Sequence, residues 1–346
     1  MGDIARSALG GAWTVLVGWL LPTALNVSLF VVAVWPSLRR ARGHVRLWSE
    51  GGVTPLSVGV LSISVLLGLA LCALQNPLYR VLEGYALWPN ALYSRGCARR
   101  RQAKQDLQDR LTLIRLERQE REGRLAPDDT ARLTALRGDP RIARAARKDR
   151  RRTAVQRALL RERLARYPVD DAQLAPTKLG NAIRRFEEYG YDRFRLDTQV
   201  MWNELTGSAP EQVRRQTDLA RTNVDFFVAL LYGHGVVVLC AAAALAAADP
   251  DVPLLLMAIA VPGLLIPVWY RAAVSATDEW SASVRALVNT GRKPLAESLG
   301  LLLPGELAHE REMWALVSKM SRLPHHERAA ALDTFRAAPP VERPPR

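Results

Sequence analysis

Charged side chains leave four long gaps in this chain, at 13–35, 55–75, 226–248 and 252–270. The 23 residues of 226–248 (FFVALLYGHGVVVLCAAAALAAA) rise about 34 Å as a helix, against a hydrocarbon core of about 30 Å. Each gap therefore predicts a transmembrane helix. Asp249-Pro250-Asp251 is too short a connection to hold a domain, so 225–272 predicts a hairpin with an acidic tip. A first hairpin occupies 1–93, with tryptophans near both ends of its first span, Trp13 and Trp35, where amphipathic rings favour the headgroup region. Pro22 sits inside that span, which lipid tolerates when neighbours satisfy the freed carbonyl. Arg6 is the lone basic side chain before it and its apolar core is long, so an anchor is expected rather than a cleaved leader. In the second span Ser64, Gly68 and Cys72 recur every four residues, a small-residue stripe suited to close helix contact. Residues 76–90 mix leucines and aromatics with Arg80 and Glu83 and predict a helix lying in the interface plane.

The polar segments read as helices too. In 94–172, Leu107, Leu111 and Ile114 give four-then-three spacing, a short coiled-coil seam. Gly123 and Pro127 mark a turn, Asp139-Pro140 a second, and a basic helix runs on to about Arg166. A juxtamembrane elbow fills 173–224, where Thr177 caps a helix toward Glu188, Gly190 breaks it, and Pro210 opens a helix that enters the third span. Span four, with Pro262, Gly263 and Pro267, predicts a kink or a broken helix. Helices continue through 273–336, and 337–346 is a proline-rich, disordered tail. The fold class expected is all-α: a polytopic membrane protein with four transmembrane helices in two hairpins, plus cytoplasmic helical and coiled-coil segments.

Charge sets the orientation. Of the net +14, residues 95–171 supply +11, with 23 Lys/Arg against 12 Asp/Glu. Arginine excess marks the cytoplasmic side, so both termini are expected inside a bacterial plasma membrane and the Asp249–Asp251 tip outside. Arg39, Arg40, Arg42 and Arg46 between spans one and two oppose this topology. The mean hydropathy of −0.04 hides the pattern by averaging greasy runs against charged ones. In the basic helix, Arg144, Lys148, Arg151 and Arg152 are candidates for lipid headgroups, at about 1 kcal/mol per basic residue near an anionic surface. A nucleic-acid partner is not expected, since the helix lacks interleaved aromatics and any recognised motif.

Candidate chemistry is sparse. Glu187, Glu188 and Asp192 stand among arginines in the elbow; paired carboxylates could serve acid–base catalysis, and an ion-paired structural elbow explains them equally. Within or beside the spans, His234, Asp225, Asn223 and Glu83 are candidates for a polar pathway. For His234, flanked by Gly233 and Gly235, the bland alternative is a neutral imidazole bonded across helices. Cys72, Cys97 and Cys240 have neither disulfide nor metal-ligand spacing, and His309 and the adjacent His325-His326 form no zinc motif. No metal and no cofactor are expected.

The segments LYRVLEGYALWP (78–89), PTKLGNAIRRFEEYGYDRFRLDTQVMWNEL (176–205) and WYRAAVSATDEWSASVRALV (269–288) resemble an uncharacterised, actinobacterial-type group of multi-pass membrane proteins of unknown function. The resemblance covers most of the chain outside the basic block at about 100–165. It implies the membrane architecture and carries no activity. The expected function is a non-enzymatic membrane scaffold that meets lipids, a cytoplasmic protein through 95–222, or a second copy of itself. The alternatives are a small homo-oligomeric channel or transporter, and a membrane-embedded enzyme using carboxylates at 187–197.

Overall fold

The computed structural model describes residues 11–41, 53–151, 153–323 and 327–336. Among them the chain is all-α; Leu301 and Arg336 form an isolated β-bridge, and there is no strand. Helix α1 (Gly11–Ala33) widens into a π turn over Leu16–Leu20, where the Leu21 N–H bonds the Leu16 carbonyl. Pro22 follows at once. Proline lacks an N–H and clashes with the preceding turn, and the wider turn accommodates it. The Thr23 hydroxyl donates to the Trp19 carbonyl at 2.6 Å. Next come α2 (Trp35–Ala41), α3 (Val53–Ala73) and α4 (Gln75–Glu83). The pair α3 and α4 bends by 61°, and Gly84 at φ 94° leaves α4.

Helix α5 (Asn90–Arg121) ends at Gly123, whose φ of 65° is the left-handed stop that glycine takes without strain. Helix α6 (Pro127–Gly138) opens with proline and two aspartates in its first turn, as the helix dipole favours. Helices α7 (Pro140–Arg151) and α8 (Thr153–Leu164) cover the expected basic helix on either side of residue 152. Thr177 caps α9 (Lys178–Glu187) by accepting the Gly180 N–H at 2.9 Å. Gly190 does not break the chain: it lies buried inside α10 (Tyr189–Phe194), which Arg195 ends at φ 62°. An added Cβ at Gly190 would sit 2.4 Å from Thr198 Cγ2, so close packing is what requires glycine there. Then follow α11 (Trp202–Ser208), α12 (Glu211–Ala244), α13 (Val252–Ser298) and α14 (Leu307–Arg322). Span four is not broken: α13 runs helically through Pro262 and Pro267 and 28 residues past Tyr270, across the boundary expected at 272. A side chain inside lipid can leave a proline-freed carbonyl to neighbouring groups, so the helix need not stop.

Helices α1, α12 and α13 are long and apolar enough to cross a membrane. A fourth span is counted only if the bent pair α3–α4 is taken as one, so the four even spans of the sequence pattern reduce to three, or up to four. Leu66, Leu239 and Leu264 are 68%, 71% and 73% exposed on these helices. Each would lose about 1.5–3 kcal/mol in water relative to burial, a penalty absent in hydrocarbon.

The chain divides into two compact units. The first, Met1–Tyr79 with Glu204–Leu295, holds the apolar helices. Ala33, Val34, Val237, Ala241, Ala244, Leu255 and Ala258 form one of its cores. Glycines let its helices approach: an added Cβ at Gly68 would sit 2.5 Å from Leu20 Cδ2, and at Gly18 3.3 Å from Asp225 Cβ. Ser64 is buried on the same stripe and bonds the Val60 carbonyl, while half-buried Cys72 faces a cavity. At the acidic tip, Asp251 accepts from the Leu254 N–H at 3.3 Å and its own N–H donates to Ser37 Oγ at 3.1 Å.

The second unit is Arg80–Asn203 with Ala296–Arg346. Here α6, α7 and α8 pack on α5. Leu113, Leu116, Leu133, Ile142 and Ala146 make one core. Of the expected seam of Leu107, Leu111 and Ile114, Leu107 and Ile114 are buried with Leu160 of α8, and Leu111 packs against them partly buried. Lys104, one of five lysines among 48 basic residues, is buried and donates to Asp171 Oδ1 at 2.5 Å and to the Val169 carbonyl at 2.8 Å.

Candidate functional site

In the second unit the elbow is built around a loop closed by Asn181. This buried amide donates to the Ala175 and Thr177 carbonyls at 2.7 and 2.5 Å and accepts the Ala175 N–H at 3.1 Å. Pro176 then seats against Gly84 and Gly96, and Gly180 lets the Glu83 carbonyl approach to 2.5 Å of its absent Cβ. Neither Asn181 nor these contacts follow from the sequence pattern, although an asparagine on the apolar face of an otherwise charged helix was the available signal.

The packing brings Glu83 to the elbow carboxylates. Burial pushes the Glu83 carboxyl up to about 7, with the Glu187 charge adding to it and Arg184 and Arg80 opposing. Burial likewise raises Glu187, against Arg184 and a hydrogen bond from Gln199, and raises Glu188, against Arg184. The Arg184 guanidinium lies 5.4 Å from the Tyr85 ring centre, and burial pushes that phenol up to about 12. Arg184 Nε and Glu188 Oε1 are buried without a hydrogen-bond partner. Asp192 belongs to a different arrangement: it is exposed, 3.2 Å from Arg185, and its carbonyl accepts from Arg311 of α14 at 2.7 Å. The Asp197 N–H donates to Ser318 Oγ of the same helix at 3.1 Å, and its carboxylate pairs with Arg322. Chemically, burial makes both the Glu83 and the Glu187 carboxyl easier to protonate than a free one. None of these residues lines the cavities of about 570, 580 and 670 Å³ that lie elsewhere among the described residues.

In the first unit, His234 Nδ1 stands 2.8 Å from Asn26 Oδ1, and Asn26 Nδ2 donates to the Pro22 carbonyl at 2.8 Å. A Cβ at Gly233 would sit 2.2 Å from that amide, whereas Gly235 meets nothing within 4 Å. One glycine of the pair thus admits the neighbouring helix. The imidazole meets the Trp269 ring edge-on at 6.1 Å, and Trp269 stacks on Phe227 at 6.0 Å. Asp225 is buried, accepts from the Tyr79 hydroxyl at 2.7 Å, and lies 4.0 Å from Arg221 Nε. Arg221 also donates to Gln75 Oε1 at 3.1 Å. Asn223 is exposed and not grouped with these side chains. Asp225, Arg221, Gln75 and Trp19 line a cavity of about 580 Å³, and Asn26, Thr23, Tyr232 and Phe30 line a more apolar one of about 670 Å³.

Gly233→Ala is accordingly expected to displace Asn26 and lower stability by about 1–3 kcal/mol, while Gly235→Ala leaves it unchanged. Thermal midpoints of the two variants in the same detergent check this, and equal losses would refute the close-approach argument.

Arg144 is exposed on α7, while the side chains of Lys148 and Arg151, and residue 152, lie outside the described residues. So do Arg42 and Arg46, His325-His326 and the 337–346 tail. His309 pairs with Glu306 at 3.3 Å, and among the described residues no group of three His, Cys, Asp or Glu is placed to hold a metal. Compared with protein-family models, with curated proteins and with solved structures, the chain finds no match.

Proposed function

We propose that this protein is a multi-pass scaffold of the bacterial plasma membrane, of the actinobacterial-type group it resembles. In this reading its four spans form two hairpins, both termini are cytoplasmic, and the helical segment 95–222 recruits a cytoplasmic protein. The observation that carries the reading is how the elbow's polar groups are used. Arg311, Arg322 and Ser318 of α14 bond Asp192, Asp197 and the backbone beside them, and Asn181 closes its own loop. These polar groups, Asp197 and Asn181 among them, therefore hold helices in place. Exposed arginines on α5, α6 and α7, such as Arg99, Arg132 and Arg144, leave a charged surface for a partner or for anionic lipid headgroups. Crosslinking of the full-length protein in its native membrane should capture one cytoplasmic protein through 95–222. Capture unchanged after charge reversal of Arg99, Arg132 and Arg144 would overturn that surface as the recruiting one. A reporter fused after residue 272 that is active only outside the cell would overturn the topology.

A second reading, a small homo-oligomeric channel or transporter, is favoured by one observation: buried Asp225 opens on a cavity of about 580 Å³ among the spans. Liposome flux that disappears in Asp225→Asn and His234→Ala would support it, and absence of flux in the wild type would remove it. The enzymatic alternative, through Glu187 and Glu188, is removed if Glu187→Gln with Glu188→Gln retains full function in the cell.

A further inference from the structure

The arm formed by α5 and α8 contains a cavity of about 570 Å³ with an unusual lining. Arg115, Arg118, Arg124, Arg157 and Arg161 surround it, with Glu122 as its single carboxylate. Glu122 is already engaged: Arg118 Nε bonds it at 2.7 Å, and Arg124 pairs with its other oxygen. Arg115, Arg157 and Arg161 have no acidic partner among the described residues. Gln119 and Thr112 are the neutral polar members of the lining, and Gln119 Oε1 is buried without a partner. Turned over, that amide presents its NH2 group instead, because the two ends of an amide are interchangeable in such an assignment.

Five guanidinium groups around one cavity repel one another unless an anion sits among them. Elsewhere on the same arm the chain answers its arginines singly, as with Arg110 and Asp149 or Arg137 and Glu120. Here it leaves three unanswered. Guanidinium forks match phosphate oxygens two at a time, and several forks around one space suit several linked phosphates better than a single small ion.

We propose that this groove is a binding site for a multiply charged phosphate anion, held by Arg115, Arg157 and Arg161 with Gln119 and Thr112 as neutral partners. The site does not depend on the scaffold reading, and Arg144, the headgroup candidate whose side chain is described, does not line it. Clustered phosphate reaches a membrane-bound arm from two sources, a soluble condensed phosphate or a patch of anionic lipid headgroups. In both cases the same side chains do the binding.

The test uses the full-length protein in phosphatidylcholine nanodiscs, titrated calorimetrically with sodium tripolyphosphate at a fixed salt concentration of about 0.15 M, where free charges are screened beyond about 8 Å. One saturable site is expected. Combining Arg115→Gln, Arg157→Gln and Arg161→Gln should weaken it by more than about 10-fold, as loss of charge-assisted bonds implies. Removing the same charge off the groove, at exposed Arg193→Gln, Arg271→Gln and Arg285→Gln, should change it by less than about 2-fold. Lysine at the three groove positions keeps charge and fold without the fork and should give an intermediate loss. In phosphatidylglycerol nanodiscs, weaker tripolyphosphate binding by the wild type identifies lipid headgroups as the groove's natural occupant, and unchanged binding identifies a soluble anion. No saturable binding in phosphatidylcholine, or equal losses in the groove and control variants, would overturn the proposal.

Discussion

Arg110→Ala is expected to destabilise the α5–α8 arm by about 3–5 kcal/mol, the typical consequence of leaving a buried charge alone. Arg110 reaches Asp149 with two bonds, Nε to Oδ2 at 2.8 Å and Nη2 to Oδ1 at 2.6 Å. Asp149 is 1% exposed, and Gln156 Nε2 stands 3.4 Å from its Oδ1. Without the guanidinium the buried carboxylate loses two charge-assisted hydrogen bonds. Arg110→Ala with Asp149→Ala should recover most of the loss, because burying no charge is often as good as burying a matched pair. Hydrogen exchange over α5 and α7 in the full-length protein reads both effects. An Arg110→Ala loss below about 1 kcal/mol would mean that the pair behaves like a solvated surface bridge.

This pair marks where sequence reasoning stops. Long apolar runs are legible because lipid selects them over about 20 consecutive residues, and α1, α12 and α13 fall where the charge gaps place them. Local punctuation is legible for the same reason: Thr177, Gly123 and Pro127 act within a turn of their own positions. Pairings across the fold are not. Asp149 is the sole acid in PRIARAARKDRR, which singles it out, yet nothing in that string names Arg110 as its partner. Glu83 reads as a membrane-edge carboxylate by its neighbours in sequence, but packing through Pro176 and Gly84 makes it a companion of Glu187 and Arg184. Gly190 looks like a helix breaker and is a contact; only the position of Thr198 decides between the two. Likewise the seam of Leu107 and Ile114 is the same pattern whether a second chain or α8 covers it.

The Glu83 arrangement gives a prediction with a sign that runs against most carboxylates. Its pKa in the folded protein is raised to about 7, above its ordinary 4.5, chiefly by burial. Below pH 4.5 the group is protonated in both the folded and unfolded chain and contributes nothing. As pH rises toward 7 the unfolded chain ionises first, so folding retains a proton and stability falls. Above 7 the folded protein carries an unfavourably placed charge and the loss is complete. The full gap corresponds to about 3 kcal/mol; because Glu83 is only half-buried, screening by water reduces this to about 1–2 kcal/mol. Glu83→Gln should therefore raise the thermal midpoint by a few degrees at pH 8 and barely at pH 5, flattening the profile between them. Glu187 remains to be ionised in that variant, so some slope persists, and Arg184 keeps two carboxylate neighbours, Glu187 and Glu188. A shift of equal size at both pH values would show that Gln stabilises by packing, and that Glu83 does not titrate in this window.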